Sequence, residues 1–221
     1  MEGNMNFEDQ IGNFVVKIQQ IKAKLSTEEA TKTSLILPFF QLLGYDVFNP
    51  NEFTPEFIAD VGIKKGEKVD YAIILDDEVS ILIEAKSINE KLEKHDSQLF
   101  RYFGTTKAKF ATLTNGLIYK FYTDLEQINV MDTTPFLEIN LENLKDNDIQ
   151  ELKKFKKENF DINYILSAAS DLKYLSQIKK VLKEEFNDPS DDFTKLILNK
   201  GVYDGIKTQV IIDKYHPLIK K

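Results

Sequence analysis

The chain has 221 residues, of which 42% are hydrophobic and 29% charged, as in soluble proteins with one sizeable core, or one domain of about 150 residues and an appendage. It has no cysteine, which excludes disulfides, thiolate metal sites and a cysteine nucleophile. The N-terminal residues do not resemble a signal peptide and no apolar run reaches about 18 residues, so we expect a cytoplasmic protein without membrane spans. Residues 1–149 carry 15 basic and 25 acidic side chains, and residues 150–221 carry 14 basic and 11 acidic ones. This acidic balance weakly favours a partner other than nucleic acid. Carboxylates clustered in one cleft could, however, bind a divalent cation that inverts the local potential.

Two amphipathic helices are predicted at the N-terminal end. The first covers residues 7–25, where apolar residues recur at helical spacing: Phe7, Ile11, Phe14, Val15, Ile18, Ile21 and Leu25. The second begins after Ser26 and Thr27, which are favourable N-cap residues, and ends at Gly44. Pro38 predicts either a kink in this helix or the start of its last segment.

Strands dominate the middle of the chain. The expected elements are a short strand and a loop in residues 44–57, three strands in 61–86 separated by a turn at Gly66 and an acidic turn, a helix from Leu92 to Phe103, and two strands in 109–124 joined at Asn115-Gly116. After Pro135 the pattern changes to amphipathic, lysine-rich helices. We therefore predict a boundary near residue 145, with strands and helices in residues 1–145 and a helical C-terminal region in 146–221.

Charged residues occur inside two apolar strands of the segment 69–87. Side chains alternate between the faces of a strand, so Glu84 and Lys86 share one face. If the acidic turn contains the three residues 76–78, Asp70 lies opposite Glu84 and points to the same side. A two-residue turn would place the two carboxylates on different faces. A common site therefore requires a turn of odd length or a β-bulge.

Two opposed carboxylates suggest a metal site. Their Cβ atoms would be roughly 5 Å apart, which is repulsive and costly to bury without a cation. Mg²⁺ prefers oxygen ligands and would resolve the conflict, with Mn²⁺ as a substitute. Lys86 on the same side would orient a water molecule or stabilise negative charge on a phosphate. The alternative is a solvated hairpin face with Lys86 as a surface ion partner, but the apolar runs 72–75 and 81–83 favour buried strands.

These residues resemble a known nuclease family. Asp70, the segment IEAK of residues 83–86 and the segment QLFRY of residues 98–102 are similar to the motifs of the PD-(D/E)XK nuclease superfamily. More narrowly, they resemble the nuclease domain at the N-terminus of the type I restriction enzyme motor (R) subunit and its stand-alone relatives. An upstream helix carrying Glu, the approach KKGEKVDYAI to Asp70 and the LTNG before a final strand pair extend the likeness over about residues 26–140.

The resemblance implies a restriction-endonuclease-like α/β fold in residues 1–145, with a mixed central sheet flanked by helices, and a metal-dependent centre. Asp70 and Glu84 would bind the metal ion together with the main-chain carbonyl oxygen of Ala85. Lys86 would be the catalytic lysine. These roles are carried over from the family motif and are expectations for this chain.

The resemblance also assigns roles to two helices. Gln98 and Tyr102 match the QxxxY motif of this branch, and one helical turn separates them, so both would contact DNA or position Lys86. The helix carboxylate would be Glu28 or Glu29, and the sequence leaves this choice open. Both could instead be simple first-turn partners of the helix dipole.

Other features narrow the possible activities. The sequence contains no Walker A pattern, so it predicts no ATP-driven translocase, and no methyltransferase or sequence-reading module is recognisable. His95 is interpreted as an exposed residue at a helix start, and His216 has no companion for a zinc motif. Phe100 and Phe103 are interpreted as core residues.

The leading hypothesis is a Mg²⁺-dependent endonuclease that hydrolyses phosphodiester bonds in DNA. The alternative is a catalytically silent module of the same fold that docks DNA or assembles a restriction or defence system, as the acidic balance suggests. DNA is the expected partner, although the sequence does not distinguish it from RNA. The helical region 146–221 has three possible interpretations: a truncated remainder, a lid over the cleft, or an interaction module. As an interaction module it would mediate homo-oligomerisation or bind restriction-system subunits.

Overall fold

A computed structural model of the protein describes residues 5–58, 68–92 and 97–220. Within these ranges the strands are β1 Phe53–Phe57, β2 Val69–Leu75, β3 Glu78–Ala85, β4 Phe110–Thr114, β5 Ile118–Tyr122 and β6 Leu137–Asn140. They form one mixed sheet in the order β1-β2-β3-β4-β5-β6. All neighbours are antiparallel except β3 and β4, which are parallel. Because helices flank this sheet, the expected α/β class is confirmed.

The helices account for most of the remaining described residues. Their bounds are α1 Phe7–Ile21, α2 Glu28–Thr31, α3 Leu37–Leu42, α4 Ser97–Thr105, α5 Asp146–Lys154, α6 Ile162–Asn187, α7 Asp191–Ile197 and α8 Gln209–Ile219. A π-helical segment, Lys32–Ile36, joins α2 to α3, and a second one, Leu198–Val202, follows α7. Residues 28–42 therefore form one continuous helical stretch.

The two N-terminal helices and their end signals are confirmed. Asn6 caps α1 and Thr27 caps α2, each accepting a main-chain hydrogen bond from three residues further on, at 2.8 and 3.1 Å. Gly44 follows the second helical run with a φ of 92°, a left-handed conformation that glycine adopts without a Cβ clash. Pro38 lies in the first turn of α3, so it begins the last segment, directly after the π-helical turn.

The hairpin of β2 and β3 combines a two-residue turn with a bulge. Asp76 and Asp77 form the turn with positive φ angles of 50° and 60°, as a type I′ turn requires. The register shifts by one residue further along β3, where Ser80 is the extra residue. Beyond the bulge the strands pair with Tyr71 opposite Ile83. The three-residue turn is therefore wrong, and the alternative, a bulge, is what sets the register.

Two strands differ from the sequence-based expectation. Residues 45–52 form turns and β1 follows them, so the strand comes after the loop rather than before it. Pro55 is tolerated in β1 because this strand lies at the edge of the sheet. Strand β6 is not predicted, since it follows Pro135 and has only four residues. The predicted strand before Gly66, the predicted turn at Gly66, and residues 93–96 of the helix predicted from Leu92 to Phe103 lie outside the described residues.

Both faces of the sheet are covered by side chains from helices. On one face Leu99 and Tyr102 of α4 pack in a buried cluster that includes Leu82 of β3. On the other face Phe39 of α3 stacks on Tyr119 of β5, with ring centroids 3.8 Å apart. Each such buried side chain contributes about 1.5–3 kcal/mol of transfer free energy. The sheet is therefore packed between helices on both of its faces.

The chain divides into two compact units, one up to Ser170 and one from Asp171 onwards. The first includes α5 and Phe155, whose ring centroid lies 4.5 Å from that of Phe121 in β5. The predicted boundary near residue 145 coincides with the change from strands to helices, and as a domain boundary it stays a prediction.

The second unit is helical, as expected, and its helical structure is interrupted between α7 and α8. Gly201 has a φ of 93°, and α8 begins only at Gln209. Phe186 and Phe193 make an edge-to-face contact within this unit. Among the described residues, none of the helices combines the length and hydropathy needed to cross a lipid bilayer.

Candidate functional site

Asp70 and Glu84 lie opposite each other at one end of the sheet. Asp70 is the second residue of β2 and Glu84 is the last but one of β3. The pairing of Tyr71 with Ile83, continued by one residue, makes them direct partners. Opposed residues of antiparallel strands point to the same face, which here is the face of Leu82 that α4 covers. The bulge therefore meets the condition that a common carboxylate site requires.

The carboxylate of Asp70 is held by two donors from different parts of the chain. Its Oδ2 accepts a hydrogen bond from the main-chain N–H of Ala85 at 2.7 Å, and its Oδ1 lies 2.5 Å from Nζ of Lys32. On the other side of β3, the N–H of Lys86 donates to the carbonyl oxygen of Thr114 at 2.8 Å. The end of β3 is thus fixed between β4 and the carboxylate of Asp70.

Glu84 and Lys86 form an ion pair at the same strand end. Nζ of Lys86 lies 2.7 Å from Oε1 of Glu84, which agrees with the expectation that the two side chains share a face. The Glu84 side chain is 7% exposed and that of Lys86 is 23% exposed. The ammonium group of Lys86 is therefore the part of this pair that an incoming phosphate reaches more easily.

A second lysine, Lys32, lies between α2 and Asp70. Its side chain is only 9% exposed, and its Nζ lies 2.7 Å from Glu28 and 3.1 Å from Glu29 as well as close to Asp70. Burial opposes its charge, but hydrogen bonds to Asp70 and Glu28 outweigh burial and raise the pKa of Lys32 above its ordinary value. Sequence analysis missed this residue, although its spacing from the two glutamates places all three on one helical face.

The two candidate helix carboxylates differ in exposure. The Glu28 side chain is 40% exposed and that of Glu29 is 80% exposed, while both contact Lys32. Glu28 is therefore the more enclosed of the two. Both remain candidates for the helix carboxylate that the resemblance implies.

Gln98 and Tyr102 occupy different environments on α4. Nε2 of Gln98 donates a hydrogen bond to the carbonyl oxygen of Lys68, just before β2. Tyr102 is fully buried in the core cluster, where Phe103 is also buried and Phe100 packs from the side. This burial favours a positioning role for Tyr102 over direct contact with DNA.

Asn115 and Thr31 clamp the loop that follows Lys86. The side-chain amide of Asn115 donates to the carbonyl oxygen of Glu90 at 2.9 Å, while its Oδ1 accepts a main-chain hydrogen bond within its own turn. Oγ1 of Thr31 in α2 accepts a hydrogen bond from the N–H of Ile88 at 3.0 Å. The sequence predicted only the turn at Asn115, because the clamp joins segments that are far apart along the chain.

The histidines take no part in this arrangement as far as the structure describes it. His95 lies outside the described residues. His216 is in the second unit, where its Nε2 contacts the carbonyl oxygen of Pro189.

The donor atoms at the strand end are suited to Mg²⁺. This ion typically binds through one or two carboxylates and completes its shell with water or substrate oxygens, so Asp70 and Glu84 are sufficient in number. Asp70 accepts two hydrogen bonds, and a carboxylate has about four acceptor positions, so capacity for a metal ion remains. In residues 5–58, 68–92 and 97–220, no group of three or more acidic or histidine side chains could hold a metal ion by itself. The residues therefore fit an ion that also takes main-chain, water or substrate oxygens.

A model of a known protein family matches the part of the chain that contains the candidate site. A family model described as type I restriction enzyme R protein N terminus matches residues 27–135, just under half of the chain. The matched range includes Glu28, Glu29, Lys32, Asp70, Glu84, Ala85, Lys86, Gln98 and Tyr102. Searches of curated proteins and of solved structures gave no match. The wider likeness to the PD-(D/E)XK superfamily stays a prediction. Residues 27–135 are therefore similar to the N-terminal region of type I restriction enzyme R proteins.

Proposed function

We propose that the protein is a Mg²⁺-dependent endonuclease that hydrolyses phosphodiester bonds in DNA as part of a restriction system. The observation that carries the proposal is the convergence of Asp70, Glu84 and Lys86 at one strand end. The proposal also draws on the match of residues 27–135 to the restriction enzyme family model. Two opposed carboxylates beside an ammonium group, within a region similar to restriction enzyme R proteins, favour hydrolysis of phosphodiester bonds over a purely structural hairpin.

Asp70, Glu84 and the carbonyl oxygen of Ala85 would hold the metal ion. Bound there, Mg²⁺, or Mn²⁺ in its place, would supply a Lewis acid that polarises a phosphoryl oxygen and acidifies a water molecule. The chain's own contribution is to fix the two carboxylates before metal or substrate arrives. The hydrogen bond from Ala85 to Asp70 does this on one strand, and the pairing of β3 with β4 does it on the other.

Lys86 would act on the phosphate. Its ammonium group stands on the same face as the two carboxylates and is partly exposed, so it would donate to a phosphate oxygen and stabilise the charge that develops during hydrolysis. Its ion pair with Glu84 holds the flexible side chain near the place where that charge forms. A lysine suits this role because it presents a compact positive charge.

The remaining predicted residues would support this centre. Gln98 bonds to the main chain just before β2, and Tyr102 packs under the strand end, so both would position the site. Glu28 and Glu29 reach the centre through Lys32. The acidic first part of the chain requires the metal ion and Lys86 to bring the DNA backbone into the site.

Restriction-system subunits, or a second copy of the chain, are the proposed protein partners of the helical C-terminal region. Several large apolar side chains of α6 are between 43% and 62% exposed and recur at helical spacing: Tyr174, Ile178, Val181, Leu182 and Phe186. We place the protein in the cytoplasm, where such partners and DNA are accessible.

The test is the replacement of Lys86. Lys86→Ala should reduce Mg²⁺-dependent nicking of supercoiled plasmid DNA by at least about 100-fold, since loss of one donor at a developing charge costs 10²–10³-fold. Lys107→Ala is the matched control, because Lys107 forms an exposed ion pair with Glu78 at 2.6 Å and should leave nicking unchanged. Undiminished cleavage by a folded Lys86→Ala variant would rule out this mechanism.

The second candidate function is a catalytically silent module that docks DNA or assembles the system. The observation that favours it is that both oxygens of Asp70 are already engaged, by Lys32 and by the N–H of Ala85. Titration with Mg²⁺ or Mn²⁺ while thermal unfolding is followed separates the two functions, because a metal ion that binds only the folded chain raises its Tm. A silent module would show neither this rise nor plasmid nicking.

A further inference from the structure

The mechanism proposed above uses Lys32 only as the link between the helix glutamates and the centre. Of the two lysines that the structure describes at the site, Lys32 is more enclosed than Lys86. Its Nζ lies within 3.1 Å of three carboxylates, from Glu28, Glu29 and Asp70. Its position joins the helical stretch of residues 28–42 to the start of β2. No surface role accounts for an ammonium group with 9% of its side chain exposed and three ion partners.

The charges at the site indicate how many further cations it accepts. Among the residues that the structure describes, four carboxylates, those of Glu28, Glu29, Asp70 and Glu84, face two ammonium groups, those of Lys32 and Lys86. These described groups together carry a charge of −2, which one divalent ion neutralises. A second divalent ion would add an excess of positive charge next to a buried lysine, which is unfavourable.

We propose that the ammonium group of Lys32 is a resident cation between α2 and Asp70, so that the centre takes a single divalent ion. In this arrangement Glu28 and Glu29 hold Lys32 rather than a metal ion, and Lys32 positions the carboxylate of Asp70. The inference rests on the proposed metal-dependent function and adds the number of metal ions and the role of the helix glutamates. Lys32 is a positioning residue, because it acts through Asp70.

The contacts of Asp70 explain why a fixed cation is useful. One oxygen is bonded to Lys32 and the other to the N–H of Ala85, so the carboxylate plane is set by groups from two separate elements. Without Lys32, three carboxylates would face one another with no cation between them. That arrangement is repulsive and would attract a second divalent ion to the vacated position.

The first experiment counts bound Mn²⁺ by electron paramagnetic resonance of the free ion, with manganese chloride titrated into the full chain. Wild type should bind one Mn²⁺ per chain, and so should Lys32→Arg, which keeps the charge. Lys32→Met, of similar size but neutral, should bind two. Lys22→Met is the matched control, since it removes a lysine from a single ion pair with Glu142 at 2.6 Å and should leave one site.

The second experiment remains decisive if Lys32→Met does not fold. Glu28→Gln should weaken the single Mn²⁺ site by less than about tenfold, through the loss of one negative charge, whereas loss of a direct metal ligand should weaken it by more than the 10–100-fold known for outer-shell partners. Two ions in wild type, one ion in a folded Lys32→Met variant, or a Glu28→Gln effect above tenfold would overturn the role of Lys32 alone. No bound ion in wild type would overturn the proposed function, and the inference with it.

Discussion

The two compact units of the chain differ in how much apolar surface they bury. The first, up to Ser170, contains nearly all of the buried hydrophobic side chains, including a set of aromatic rings on both faces of the sheet. In the second, from Asp171, Leu198 and Ile212 are the buried hydrophobic residues among those described, whereas eleven large hydrophobic side chains are exposed. Since burial of apolar surface is the main stabilising term in folding, the first unit should hold most of the stability.

The first unit provides a rigid scaffold for the candidate site, whereas the second unit provides an exposed apolar surface. The candidate site lies on strand ends of the first unit, where packed helices and paired strands keep its side chains in place. The second unit leaves apolar side chains in contact with solvent, which is typical of a surface that binds another protein. Substitutions that loosen the first unit should therefore damage the site, whereas the second unit should tolerate substitutions of its exposed side chains.

The largest expected effect comes from the same substitution made in each unit. Phe155→Ala should destabilise the first unit by about 3–5 kcal/mol, because the ring is buried among Phe110, Phe121 and Phe136 and its loss leaves a cavity. Phe186→Ala, at a ring that is 43% exposed, should cost less than about 1 kcal/mol. Urea unfolding measures the loss of stability for both variants. Hydrogen exchange of the amides in β4 and β5 then shows how far each substitution affects the sheet.

Equal effects of the two substitutions would contradict the comparison. The result also bears on the predicted boundary near residue 145, because Phe155 lies beyond it. If Phe155→Ala leaves the exchange of the sheet amides unchanged, residues 146–170 do not support the sheet, and the boundary at 145 gains weight. A strong effect would favour a functional domain that extends to Ser170.

Most of the sheet and the opposed carboxylates could be predicted from the sequence. Short apolar runs bounded by turn residues indicated β2, β3, β4 and β5. The alternation of side chains along a strand led to the condition that Asp70 and Glu84 share a face only with an odd turn or a bulge. The sequence could not choose between these, because Asp76 and Asp77 suit several turns. Where Ser80 is inserted depends on packing across the whole sheet.

Other features depend on contacts between distant segments. The spacing of Lys32 from Glu28 and Glu29 is a local pattern, but its contact with Asp70, 38 residues away, follows from the fold. Strand β6 alternates apolar and polar residues from Leu137 to Asn140, but it has only four residues, and its pairing with the edge of β5 depends on the fold. Such features are fixed by tertiary structure, and a single sequence without the fold does not reveal them.

Two glycines allow a finer comparison at similar backbone angles. Gly116, φ 80°, is in the first unit, where an added Cβ would lie 2.9 Å from the Cβ of Leu35. Gly201, φ 93°, is in the second, with nothing within 4 Å of an added Cβ. Gly201→Ala should cost about 1–2 kcal/mol of backbone strain in its own unit. Gly116→Ala should cost the same strain in the first unit plus about 1–3 kcal/mol for the forced shift of Leu35.

Thermal unfolding of both alanine variants, with exchange of amides in each unit as the local readout, checks this difference. Gly116→Ala should also loosen the clamp at Asn115, so amides of residues 88–90 should exchange faster. Similar losses in the two units would show that backbone strain, and not packing density, sets the cost at both positions.

The smallest expected effect is electrostatic and depends on pH. Glu52 in the first unit accepts hydrogen bonds from Lys157 at 2.8 Å and from the N–H of Asp46 at 3.0 Å. Burial alone would raise the pKa of Glu52, but these two donors lower it below its ordinary value. A carboxyl group with a lowered pKa in the folded state adds stability above the unfolded-state value of 4.5, and this stability is lost as pH falls through the folded-state pKa.

Glu52→Gln should therefore reduce the free energy of unfolding by about 1 kcal/mol at pH 7, and the difference from wild type should shrink below pH 4.5 as Glu52 takes up a proton. Glu184→Gln is the counterpart in the second unit, where Lys180 lies 3.9 Å away and both side chains are well exposed, so no measurable change is expected. Urea unfolding over a series from pH 7 down to about pH 2.5 measures both, because the stability is lost only as pH falls through the lowered pKa of folded Glu52. Lys157 lies beyond residue 145. A difference for Glu52→Gln that stays constant over the whole series would mean that the charge of Glu52 does not link this segment to the sheet, and the contrast between the units would then rest on apolar burial alone.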